Sequence, residues 1–166
     1  MTARFNPYEI APEVFKHGQA MQQAIYASGL DRTLIELVKL RASQLNGCAY
    51  CLNMHAHEAR ELGETEARIY VLGGWRESTL YSPRERAALA YTDAMTHVSS
   101  RGTVEPELEE LKKLFDDKEV VAIVNQVAMI NFWNRIAIGF GTVHPLESRP
   151  EARRAAQPQA QPAHAS

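Results

Sequence analysis

The chain has 166 residues, with 18 basic and 20 acidic side chains and a formal charge of −2. That length fits one domain, able to bury about 70% of its unfolded surface in a single core without covalent staples. The near-neutral balance, with no interleaving of aromatic and basic residues, gives no footprint for nucleic acid. The opening MTARFNPYEI lacks the apolar run of a secretory leader.

Taken in chain order, the predicted elements are helices only. Pro12 suits the first position of a helix carrying a stripe of Val14, Gly18, Met21 and Ile25 and ending near Gly29. An amphipathic helix from about Asp31 to Leu45 follows, with Leu34, Val38 and Leu45 among its apolar positions. A third begins near Cys48, with Asn46 as its cap, and stops before Gly63. A short helix spans about Thr65 to Leu72 and ends at Gly73-Gly74. Ser82-Pro83-Arg84-Glu85 combines a cap, a first-position proline and a capping-box glutamate, and starts a helix burying Ala88, Tyr91, Met95 and Val98. Pro106 opens a helix with Leu108, Leu111 and Phe115.

The last long helix, Asp117 to Ile138, is apolar around most of its circumference and needs cover on several sides, within the domain or from another subunit. Asn125, Gln126, Asn131, Asn134 and Arg135 interrupt its apolar tract, so no membrane span is expected. The predicted fold class is all-α. Residues 1–146 form the helical domain, and 147–166, rich in Ala, Gln, Pro and Arg, form a disordered tail. The expected location is the cytoplasm.

The chemistry-bearing motif is GCAYCLNMH, which holds the only two cysteines, Cys48 and Cys51, and His55. Cysteines three apart at the start of a helix can bridge with little movement, and His55 shares a face with Cys51. In a compartment that keeps thiols reduced, such a pair points to reversible dithiol chemistry. Attachment of c-type haem is excluded because Leu52, not histidine, follows Cys51. Zinc held by Cys48, Cys51, His55 and His57 stays open, although positions 55 and 57 point about 200° apart on a helix. Inert buried cysteines also stay open. Glu36 has two readings: a capping-box partner of Thr33, or, with Asp31 as the cap, a group free for chemistry. His17, His97, His144 and His164 have no partner pattern and read as surface or capping residues. Gly73-Gly74 is no phosphate cradle, and no organic cofactor is implied.

Glu36, Cys48, Cys51 and His55, together with the tract NFWNRIAI containing Asn131, Asn134 and Arg135, resemble the alkylhydroperoxidase (AhpD-like) and carboxymuconolactone decarboxylase-like family over about residues 10 to 145. The resemblance implies an AhpD-like helical domain with its CxxC at a helix N-terminus. It also implies a hydroperoxide substrate, with Cys51 as the peroxidatic cysteine, Cys48 as the resolving one, and His55 with Glu36 as a proton relay. A lipoyl- or thioredoxin-type dithiol would be the reductant, and the subunits would form a homo-oligomer, trimeric or hexameric. Where family members carry a histidine before the second cysteine, this chain has Tyr50, whose phenol of pKa near 10 donates a hydrogen bond but is no base at neutral pH. The rival readings are a non-catalytic redox-sensing or zinc-binding module and a decarboxylase-type enzyme, the latter not dependent on a dithiol.

Overall fold

The computed structural model describes residues 6–144, and the predicted tail 147–166, with His164, lies outside them. The described residues are helical and contain no strand, so the domain is all-α. The helices are α1 (Pro7–Ile10), α2 (Pro12–Tyr26), α3 (Arg32–Asn46), α4 (Ala49–Glu61), α5 (Glu66–Val71), α6 (Pro83–Thr96), α7 (Val98–Arg101), α8 (Glu105–Leu114) and α9 (Asp117–Phe140). A 3₁₀ turn, Leu72–Gly74, extends α5, so the glycine pair ends that element as a tightened turn. None of the described helices is long and apolar enough to cross a membrane.

Helix boundaries follow their caps. Asp31 caps α3, its carboxylate accepting from Thr33 N at 2.9 Å and Thr33 Oγ1 at 2.8 Å. Ser82 and Glu85 form the predicted capping box of α6, and Asp116 with Glu119 forms a second at α9. Gly63, at φ 93°, follows the C-cap Leu62 in the left-handed region where a Cβ is strained.

Helix α3 is the centre of the fold, packed against α4, α6 and α9. Every side chain from Leu34 to Leu40 is buried, so α3 is not the amphipathic surface helix its pattern suggested. One side, with Ile35 and Val38, joins Ala88, Leu111, Ile123 and Val127 in the larger core. Another, with Leu37 and Leu40, meets Ala59, Leu72 and Leu89 in a second. The remaining turns bring Glu36, Lys39 and Ser43 inside the molecule, where polar groups need partners.

Two packing expectations are corrected. Val14 is 67% exposed and Met21 is also exposed, because α2 turns Phe15, Gly18, Gln22 and Ile25 inward. Val98 is exposed because α6 ends at Thr96 and His97 breaks the axis. On α9 the single chain leaves Val121 60% exposed, and Phe132 and Ile138 also reach its surface.

Candidate active site

The corner between α3 and α4 places the cysteines. Gly47, at φ 67°, ends α3 in a left-handed residue, and the chain reverses into α4 with Cys48 as the N-cap. Cys48 Sγ accepts from Cys51 N at 3.3 Å. Asn46 is therefore not the expected cap. Its carboxamide instead donates to Oδ1 of Asn131 at 3.0 Å and of Asn134 at 2.8 Å. Asn134 donates onward to Ser43 Oγ at 3.0 Å, and Asn131 to Thr96 Oγ1 at 3.1 Å. Arg135 donates to the backbone oxygen of Asn131. The polar residues of the NFWNRIAI tract thus lash α9 to the corner.

Cys48 and Cys51 are joined in a disulfide with Cα atoms 5.4 Å apart, both buried and packed against Ala137. A pocket of about 250 Å³ opens beside them. Cys51, His55, Glu58, Tyr26, Tyr50 and Trp133 are among its lining residues, and Cys48 is not.

Glu36, 1% exposed, sits at the inner end. Its Oε1 accepts from Lys39 Nζ at 2.8 Å, and Oε2 lies 3.1 Å from His55 Nδ1. His55 Nδ1 is also 2.9 Å from Glu58 Oε2, and Lys39 Nζ is 3.7 Å from the same oxygen. Lys39, 2% exposed, further donates to the Tyr26 hydroxyl. The hydrogen bond of His55 Nδ1 runs to Glu58, and Glu36 Oε2, although 3.1 Å away, is a buried oxygen without a hydrogen-bond partner among the described residues. The hydrogen bond from His55 lowers the Glu58 pKa to about 2 against the opposing pull of burial, with help from the charges of His55 and Lys39 and a hydrogen bond with Glu36.

Two of the four predicted residues, Cys51 and His55, line the pocket; Glu36 stands behind His55, and Cys48 is bonded behind Cys51. Asp31 is the cap of α3, so Glu36 is free of the capping box. His57 is exposed, and the cysteines are bonded to each other, so the four-residue zinc set is not gathered. The potential metal ligands that do converge are Glu36, His55 and Glu58, within 4.8 Å of one another. Lys39 already supplies a cation there. Sequence reasoning missed Lys39 and Glu58, although each stands three residues after its partner, a spacing that puts both on one helix face. Nothing in the pattern flagged Tyr26, which the α2–α3 packing delivers.

An all-helical domain with a CxxC at the mouth of a helix defines a class, and comparison with known proteins agrees. The profile of the carboxymuconolactone decarboxylase family matches residues 12–94. The uncharacterized protein YdfG of Bacillus subtilis (strain 168) is 41% identical over 141 residues, covering 85% of this chain and 96% of YdfG. The chain belongs to this family, in its AhpD-like form. A crystal structure of an Agrobacterium tumefaciens protein of unknown function, proposed to be the antioxidant defence protein AhpD, superposes with a TM-score of 0.84 at 42% identity, over 88% of this chain and 100% of that one. The debrominase Bmp8 has a TM-score of 0.75 at 20% identity, over 89% of this chain and 76% of its own, a likeness of fold alone.

Proposed function

We propose that the chain is a dithiol peroxidase that reduces hydroperoxides. The observation that carries this reading is that Cys51 lines the pocket with His55 while Cys48 stands behind it in bonding contact. After a dithiol reductant opens the bridge, Cys51 occupies the third position of α4, where the helix N-terminus favours a thiolate. His55 takes the thiol proton. The thiolate attacks the terminal oxygen of ROOH, the O–O bond breaks, and the proton returns from His55 to the departing RO⁻ as ROH. Glu36 holds the imidazolium that exists between these steps. Cys51 is now a sulfenic acid, and Cys48 displaces its hydroxyl as water to close the disulfide. A second dithiol, of lipoyl or thioredoxin type, takes the oxidation away by exchange.

Consumption of hydroperoxide with a dihydrolipoyl donor tests the reading. Wild type turns over, Cys51→Ser does not, and Cys48→Ser accumulates a sulfenic acid that a dimedone probe labels at position 51. No consumption by wild type favours a redox sensor, and equal labelling of both cysteines in the respective variants overturns the assignment of roles.

Association between copies of the chain belongs to the same reading. Exposed Met21 and Val121 line one groove between α2 and α9, and a trimer or hexamer that covers them is expected on light scattering. A monomer at micromolar concentration refutes it.

A further inference from the structure

This inference rests on the hydroperoxide reading and narrows its substrate. The pocket, at about 250 Å³, falls below the roughly 300–1,000 Å³ of sites for drug-sized ligands, so it suits one small molecule. Its chemistry is divided. The polar groups Lys39, His55 and Glu58 accompany Cys51, while Tyr8, Tyr50 and Trp133 contribute rings to the lining. Burial first and the neighbouring Tyr50 second push the Tyr8 phenol above its usual range.

Trp133 is a fixed wall. Phe132 meets it edge-on with ring centroids 4.8 Å apart. Both rings approach α2: a Cβ added to Gly18 would stand 3.1 Å from Trp133 Cζ2, 3.2 Å from Cη2 and 3.3 Å from Phe132 Cε1. Gly18 lies in the middle of α2 and its φ is not positive. Nothing in the backbone there requires glycine, and alanine is the better helix former. The residue is small because the indole occupies the space its side chain would take.

We infer that the pocket is a slot for an aryl-substituted hydroperoxide, with Trp133, seated against Gly18, as the residue that selects it. The ring of the substrate stacks on the aromatic lining and the peroxide reaches Cys51. Aromatic pairs favour offset or edge-on contact over equal aliphatic area, by about 2- to 12-fold per pair when converted at tenfold per 1.4 kcal/mol.

The test compares cumene hydroperoxide with linear hexyl hydroperoxide and hydrogen peroxide, using a dihydrolipoyl donor. Wild type is expected to prefer cumene hydroperoxide over the hexyl compound by about tenfold in kcat/KM, on the strength of one or two ring contacts. Trp133→Leu brings the ratio close to one, and Trp133→Phe restores part of it. Gly18→Ala crowds the indole into the slot and lowers cumene hydroperoxide turnover while leaving hydrogen peroxide turnover unchanged. A second readout needs no turnover: cumyl alcohol, the product, should bind the disulfide form by calorimetry and lose that binding in Trp133→Leu. Turnover without aryl preference, together with no alcohol binding, overturns the slot and leaves the peroxidase standing. Alcohol binding that depends on Trp133, with no hydroperoxide consumed, keeps the aryl slot and overturns the peroxidase.

Discussion

Two buried carboxylates tie helices together in this fold, and they do so differently. Asp93 on α6 is closed off: Oδ1 accepts from Arg41 Nε at 2.5 Å, and Oδ2 accepts from Trp75 Nε1 at 3.3 Å and from Arg76. Burial raises its pKa, but the hydrogen bonds from Arg41 and Arg76 overcome that and hold it below the usual carboxylate range. Glu36 on α3 has one firm donor, Lys39, and shares His55 with Glu58. None of Asp93, Arg41 and Arg76 lines the pocket that Cys51 lines. A carboxylate saturated by permanently charged donors is a structural tie. One that stands beside an imidazole lining a cavity, next to a disulfide, is the one we propose for chemistry.

Removing the closed tie should have the largest effect, and on stability. Asp93→Ala leaves Arg41, largely buried, without its charge partner, which costs about 3 kcal/mol. Urea unfolding measures it. Hydroperoxide turnover per folded molecule should stay within about twofold, and a larger drop would break the contrast between the two carboxylates.

The open tie should respond in the opposite sense. Glu36→Gln is expected to lower turnover by about 100-fold, the lower range for loss of an acid–base group, equivalent to about 2.7 kcal/mol. It also leaves the Lys39 ammonium buried without its closest carboxylate, so some stability is lost with it. The double variant Glu36→Gln/Lys39→Met separates the two effects, because replacing a buried pair by neutral side chains is often neutral or stabilising. Its unfolding midpoint should return toward wild type while turnover stays low. Recovery of both would make Glu36 a packing residue.

This contrast was only half legible in the sequence. The helical class, the Ser82 box and the CxxC with its nearby His55 could be read from spacing and caps, because capping chemistry and CxxC motifs are local; Glu36 was singled out by the family resemblance, since spacing alone left it open as a capping-box residue. Cys48 as a cap could not be separated from Cys48 inside a helix, since both leave the cysteines three apart. Helix α2 was misread in part: Gly18 and Ile25 of its predicted stripe do face inward, but Phe15 and Gln22 stand there in place of Val14 and Met21, and Gln22 donates to Gln126 at 2.8 Å. A hydrophobic period passes over an inward amide. Lys39 was missed for a related reason: a lysine is read as surface until the helix that bears it is known to be covered on every side.

Glu58 tests the outer edge of the open tie, and its effect should be the smallest. Its pKa is lowered in the folded protein to about 2 from an ordinary value of 4.5, so it contributes stability at pH above 4.5 and loses it as pH falls toward 2. Such a difference corresponds to about 3 kcal/mol if taken whole. The side chain is 42% exposed, and solvent screening reduces the contribution to about 1 kcal/mol. Unfolding of the disulfide form of wild type and Glu58→Gln should therefore differ by about that amount from pH 6 to 5, converge as the pH is lowered to 3, and differ less in 1 M salt. The comparison with the variant isolates this group, because the other carboxylates are common to both proteins. A gap that persists unchanged to pH 3 would mean that Glu58 acts by packing rather than by its charge.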